Sequence, residues 1–204
     1  MTATLYYIHD PMCSWCWGFS PTWRQIRAQL PAELPVVYLL GGLAPDTQAL
    51  MSQDMQTKLQ QTWHTISQRL GTQFNFDFWT VCQPRRSTYP ACRAVLAAQQ
   101  QDAGNTMTTA IQHAYYLDAK NPSDDATLVE LAKEIGLDTA RFAQQLNDPA
   151  TQHELARQIA QGQALGAQGF PSLIYSNDTG NHFIRHDYLD PEVTLDQIRR
   201  LDDF

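Results

Sequence analysis

One stretch constrains this chain more than any other: Met12-Cys13-Ser14-Trp15-Cys16-Trp17-Gly18-Phe19-Ser20 holds two of the four cysteines, two residues apart. Two thiols at this spacing either close a small disulfide or clamp a metal, and the flanking segments decide between them. Ahead of them runs Thr4-Leu5-Tyr6-Tyr7-Ile8, whose aromatic and β-branched side chains suit a strand. Behind them Trp23, Ile26 and Leu30 recur at helical offsets and share one face. A Cys-X-X-Cys pair between a strand and a helix is a redox signature.

Composition narrows the setting. The chain has 204 residues and a formal net charge of −7, with its few lysines and arginines scattered, which argues against a general nucleic-acid or anionic-membrane binder. Met1-Thr2-Ala3-Thr4 offers neither a positive start nor an apolar core for a leader, and no apolar run reaches membrane-spanning length. The expectation is a soluble cytoplasmic protein, in a compartment that keeps thiols reduced. Four cysteines in a chain of this length do not make a disulfide scaffold.

Around the cysteines the pattern is β-α-β. Residues 4–9 carry few charges, as a central strand buried on both faces would, and His9-Asp10-Pro11 ends them. Pro21 either kinks the following helix or opens a second one with Ser20 as its N-cap. The apolar run from Pro35 to Leu40, closed by Gly41-Gly42, predicts a second buried strand. From about Pro45 to Gly166 helix follows helix. Leu59, Trp63, Ile66 and Leu70 form one face of the first, and Phe74, Phe76 and Phe78 read as a loop that packs its rings. Further helices are expected over 89–103, 106–119 with Asn105 as cap, 125–135, 139–147 and 150–165. Strand character returns from Gly169 to Tyr175, then a turn at Asn177-Asp178-Thr179-Gly180, a short strand at 182–185 and a final helix from about Pro191.

That order, with Cys13-Ser14-Trp15-Cys16 after the first strand and Gly169-Phe170-Pro171 before the third, resembles the thioredoxin superfamily and in particular its DsbA-like branch. The run from His9 through Pro21 is similar to the FrnE-type group, often described as protein disulfide isomerases. The resemblance implies an α/β, thioredoxin-like fold with a large all-helical insertion: residues 1–45 and 166–204 as the frame, 46–165 as the insertion. It implies a cis Phe170–Pro171 bond facing the cysteines, with the Phe170 backbone able to pair with an extended substrate strand. One departure stands out. Relatives often carry a buried acid six residues ahead of the first cysteine, which assists proton transfer from the second; here that residue is Tyr7. His9 and Asp10 are close enough in sequence to serve as the relay, although a turn pointing them to solvent is the plainer reading.

The chemistry follows from the helix. A thiolate attacks a disulfide, so one cysteine must titrate below its free value of about 8.5. Unpaired N–H groups and the positive dipole end at the helix N-terminus favour the anion at Cys13, and Cys16, one turn further in, resolves the mixed disulfide. Ser14 and Trp15 set the exposure of that thiolate. Phe170, Trp15 and Trp17 are expected to form an apolar rim for unfolded polypeptide. Cys82 and Cys92 flank a turn-rich loop and read as free thiols, with a second disulfide or a redox relay as the alternative. Ser87 and Thr88 look like capping residues of a helix bordering the cleft, and Arg85 and Arg86 are either a solvated pair or an anion steer.

The expected function is thus a thiol–disulfide oxidoreductase, a protein disulfide reductase or isomerase, that needs no metal or organic cofactor. Its partners would be thiol- or disulfide-containing proteins, with glutathione or a thioredoxin-type reductant closing the cycle. Kappa-class glutathione transferases and 2-hydroxychromene-2-carboxylate isomerases share the architecture, but they typically carry a serine first and lack the second cysteine. A structural zinc site is the third reading, weakened because the separation of Cys82 and Cys92 fits no zinc knuckle.

Overall fold

The computed structural model of the protein describes residues 3–202. Met1 and Thr2, which begin the stretch read for a leader, lie outside it. Four strands form one mixed sheet in the order β2-β1-β3-β4. β1 (Thr4–His9) lies parallel to β2 (Val36–Leu40), with Leu5 opposite Val36, and antiparallel to β3 (Ser172–Asn177), with Leu5 opposite Tyr175. β4 (Gly180–Ile184) closes the expected hairpin on β3. β1 is therefore an inner strand, as its low charge implies.

Side chains alternate across this sheet and meet helices on both faces. Leu5, Tyr7, Leu173 and Tyr175 point one way. They pack on Phe19, Trp23 and Ile26 of α1 (Ser14–Gln29) and on Leu195 and Ile198 of α9 (Glu192–Asp202). Ile8, Leu39 and Ile174 point the other way, toward α8 (Pro149–Ala164). Gly162 of α8 allows the close approach, since a Cβ there would lie 3.3 Å from Ile8 Cγ2. α8, expected simply as the last helix of a helical run, thus covers the second face of the sheet.

Pro21 lies inside α1, so the reading of Ser20 as the N-cap of a second helix does not hold. Proline removes the N–H that would reach the Trp17 carbonyl, and the Ser20 hydroxyl donates to that carbonyl at 2.9 Å instead. The helix continues because its neighbouring residue supplies the missing donor.

Between β2 and β3 run α2 (Gln53–Leu70), α3 (Phe78–Val81), α4 (Tyr89–Gln99), α5 (Gly104–Tyr116), α6 (Asp125–Glu134), α7 (Thr139–Leu146) and α8. α4 is buried from Pro90 to Ala98 on all sides, as the alanine-rich axle of this region. Trp63 is fully buried at its centre, in ring contact with Phe74, Phe76, Phe78, Trp79, Tyr115 and Tyr116. The Phe74–Phe78 stretch is a loop up to its last ring, where α3 begins. α5 starts one residue before Asn105, with Ala103 at the cap position, because the chain turns at Asp102 with φ 59°. Among the described residues no helix is long and apolar enough to cross a membrane.

Candidate active site

Cys13 is the N-cap residue of α1 and Cys16 lies in its first turn. The helix begins here because Asp10 folds the chain over: its carboxylate accepts from Met12 N at 2.8 Å, and its carbonyl accepts from Cys13 N at 3.0 Å. Both cysteines are buried, at 6% and 1% exposure, yet they face different spaces. Cys13 lines a groove of about 540 Å³ with Ser14, Trp15, Gly41, Gly42, Arg86 and Phe170, and Cys16 does not. Cys16 instead lines a second cavity of about 380 Å³ on the far side, with Tyr7, His9, Ser20 and Tyr38.

The two thiols titrate apart. The Cys16 thiol, then the N–H groups of Cys16 and Trp15, favour the anion at Cys13 and hold its pKa below the ordinary thiol value, against burial and the Asp10 charge. Cys16 is pushed well above that value, by burial first and by Cys13 second. Oriented donors at the helix start make the outer sulfur the acidic one, while the inner sulfur stays a thiol.

The Phe170–Pro171 bond is cis, as the resemblance implied. The Phe170 carbonyl accepts from the Cys13 thiol at 3.4 Å across 157 residues of sequence, so the loop before β3 forms the wall opposite α1. Gly41 makes room for the Phe170 ring, since a Cβ there would lie 2.0 Å from Phe170 Cε1.

His9 and Asp10 do not point to solvent. Asp10 is fully buried and its carboxylate also accepts from Leu43 N at 2.7 Å, the Thr88 hydroxyl at 2.7 Å and the Cys92 thiol at 3.4 Å. Burial raises its pKa, and these donors work in the other direction. The His9 ring stacks on Tyr7 at 5.1 Å and 6°, makes no hydrogen bond to a described residue, and faces the cavity that reaches Cys16. Burial lowers its pKa to about 4, so it is neutral at pH 7. Tyr7, at the place of the acid in relatives, is buried between His9 and Trp23, and its phenol is raised well above its ordinary value by burial and then by the two cysteines.

Residues 5–196 match the family model of the DSBA-like thioredoxin domain. The chain belongs to that family. Among solved structures, this DSBA-like chain is 27% identical to a candidate protein disulfide isomerase from Nitrosomonas europaea, with a TM-score of 0.84 over 99% of this chain and 100% of that one. It is 28% identical to the cytosolic disulfide reductase DsbM from Pseudomonas aeruginosa, with a TM-score of 0.76 over 97% and 99% of the two chains. A structure of that reductase with GSH is 26% identical by its alignment, with a TM-score of 0.74 over 97% and 98%. Among curated proteins, the ClpXP adapter protein SpxH of Bacillus subtilis is 23% identical over 85% of this chain and 58% of its own. SpxH of Halalkalibacterium halodurans is 21% identical over the same shares, so this chain spans 58% of the length of these curated relatives.

Within the DSBA-like site the remaining residues divide. Trp15 lines the groove and rests edge-on against Tyr188 at 5.2 Å, whereas Trp17 turns away to stack on Tyr116 at 5.7 Å and donates to the Gln73 carbonyl at 3.1 Å. The rim expected from three aromatics is therefore Trp15 and Phe170 without Trp17. The Ser14 hydroxyl accepts from Trp63 Nε1 at 2.9 Å, tying the active-site helix to α2. Cys82 and Cys92 are free and separately engaged: Cys82 donates to the Ala119 carbonyl at 3.0 Å, and Cys92 to Asp10. Thr88 borders the site through Asp10, and Ser87 accepts from Thr47 N at 3.3 Å. Arg85 pairs with Asp124, while Arg86 lines the groove. The sequence singled out that pair but held no sign of which arginine would be spent on structure, because Asp124 is 39 residues away.

Proposed function

We propose that the protein is a thiol–disulfide oxidoreductase working through Cys13 and Cys16. The observation that carries this reading is the asymmetry of the pair: an acidified sulfur on a groove and an enclosed, proton-holding one behind it. Cys13 thiolate attacks a substrate disulfide, forming the mixed disulfide and expelling one substrate thiolate. Cys16 then attacks the Cys13 sulfur, releases the second substrate thiolate and leaves the Cys13–Cys16 disulfide. Its proton must go elsewhere first. Tyr7 is a neutral phenol and the Asp10 carboxylate is already met by four donors. Among the described residues, the neutral imidazole of His9 faces the Cys16 cavity without a hydrogen-bond partner, and it relays the proton to water in that cavity while staying neutral itself. The Phe170 backbone receives an extended segment of substrate opposite Cys13, and Trp15 and Phe170 cover its apolar side chains.

The helical segment 46–165 serves as the insertion, its last helix α8 doubling as cover for the sheet, and the described residues of 1–45 and 166–204 serve as the thioredoxin-like frame. In a reducing compartment such a chain acts as a reductase or isomerase on proteins, with no organic cofactor and a small thiol such as glutathione as reductant. The reductase relative solved with GSH supports that choice. Replacing Cys13 with serine is expected to abolish insulin-disulfide reduction, and Cys16→Ala to trap a mixed disulfide that mass spectrometry detects. Full activity of C13S would overturn the proposal.

A further inference from the structure

Arg86 is the one charged side chain among the described residues that line the groove beside Cys13. It is half-buried, and its guanidinium makes no ion pair or hydrogen bond with a described residue. The other arginines nearby are ion-paired through their terminal nitrogens, although Nε of each is buried without a hydrogen-bond partner among the described residues. Arg85 holds the Asp124 carboxylate and the Ser123 carbonyl, and Arg93 forks onto Asp46 at 2.8 and 3.0 Å. A cation drawn partly out of water without a partner costs free energy that a bound anion recovers. Its charge reaches the Tyr115 phenol, which also lines the groove, and opposes the burial that raises it. The chain carries a net charge of −7, yet no carboxylate of the described residues lines this groove.

We propose that the groove binds small disulfides that carry a carboxylate, with Arg86 holding the carboxylate while Cys13 meets the sulfur. This rests on the oxidoreductase reading above. The volume of about 540 Å³ is that of a small-molecule site, within the roughly 300–1,000 Å³ typical of such pockets. Gln163, Gln168 and Ser14 line it as neutral polar groups. Cys13 thiolate displaces one carboxylate-bearing thiolate, Cys16 displaces the other, and the two electrons lost by the cysteine pair reduce the disulfide to two thiols. In the assay direction a dithiol returns the pair to its reduced form; with glutathione as reductant, as proposed above, the same steps run in reverse and the groove receives the anionic thiol.

The test compares kcat/KM for three disulfides of graded charge, the anionic glutathione disulfide, neutral 2-hydroxyethyl disulfide and cationic cystamine, with dithiothreitol as reductant. The wild-type protein is expected to prefer them in that order. Arg86→Gln should lower the ratio of the first to the second by roughly tenfold or more, the worth of a charge-assisted hydrogen bond, and Arg86→Glu should favour cystamine. Arg200→Gln removes the same charge at an exposed site on α9 and should leave the ratio where it was. A ratio unchanged in folded Arg86→Gln overturns the assignment. So does an equal loss of insulin reduction, which would make the anionic partner a protein. A readout needing no variant is salt: raising NaCl to about 0.5 M should shrink the preference of the wild-type protein, and a salt-independent preference counts against Arg86. Failure of the wild-type protein to turn over any disulfide would instead remove the oxidoreductase reading.

Discussion

His9 and Asp10 are adjacent and buried, and they bend the pH dependence of stability in opposite directions. The folded protein lowers His9 from 6.5 to about 4, so its contribution is present above pH 6.5 and is lost as pH falls toward 4. With each unit worth about 1.4 kcal/mol, the loss is roughly 3 kcal/mol. Asp10 is raised from 3.8, so its contribution is full below that value and is lost as pH rises through the folded one. His9→Phe keeps a flat ring against Tyr7 and removes the titration. Urea unfolding between pH 4 and 7 should therefore show a shallower slope in the variant than in the wild-type protein, and equal slopes would refute the assignment. The same variant should slow resolution of the mixed disulfide in single-turnover experiments without changing Cys13 alkylation. Cys13 and Cys16 stand out as candidates from local spacing alone. The burial of Asp10 does not, because its donors Leu43, Thr88 and Cys92 lie 33, 78 and 82 residues away.

Elements inherit their limits from such distant contacts. The amphipathic face of α2 and the hairpin of β3 and β4 are written in local periodicity and both form, although the strands run into the expected turn and pair Asn177 with Gly180. Termini are less local: α4 ends at Gln99, short of residue 103, and α5 begins before its expected cap. The turn after β2 matters most for the site. A methyl group at Gly41 must displace the Phe170 ring, and because that residue is half-buried the ring can swing into the groove. Gly41→Ala is expected to cost about 1 kcal/mol, the low end for overpacking, while lowering peptide-disulfide turnover more steeply. Thermal denaturation and kcat/KM measured together check this, and a variant with unaltered turnover would show that the ring position is immaterial.

At the scale of the molecule, the sheet and the helical segment are joined at the active site. Trp63 reaches Ser14, Trp17 stacks on Tyr116, and Gln158 of α8 accepts from Leu40 N at 2.9 Å at the end of β2. Native-state hydrogen exchange should give the slowest amides of β1 and of α5 the same opening free energy, as one cooperative unit does. Values several kcal/mol apart would mean that the two parts open separately. Element order was readable in the chain because each element carries its own pattern. The seating of α8 on the sheet was not, since it depends on Gly162 meeting Ile8 across the fold.

The hydroxyl of Ser14 has a consequence for redesign. With Cys13 and Cys16 as the proposed redox couple, exchanging the two residues between them is the direct way to retune it, but one of those residues also anchors the buried Trp63. Ser14→Ala leaves the indole N–H without its acceptor, at a cost of about 1–3 kcal/mol. Electrochemistry and fold are therefore not independent dials in this chain, and a library varying position 14 will sample both at once.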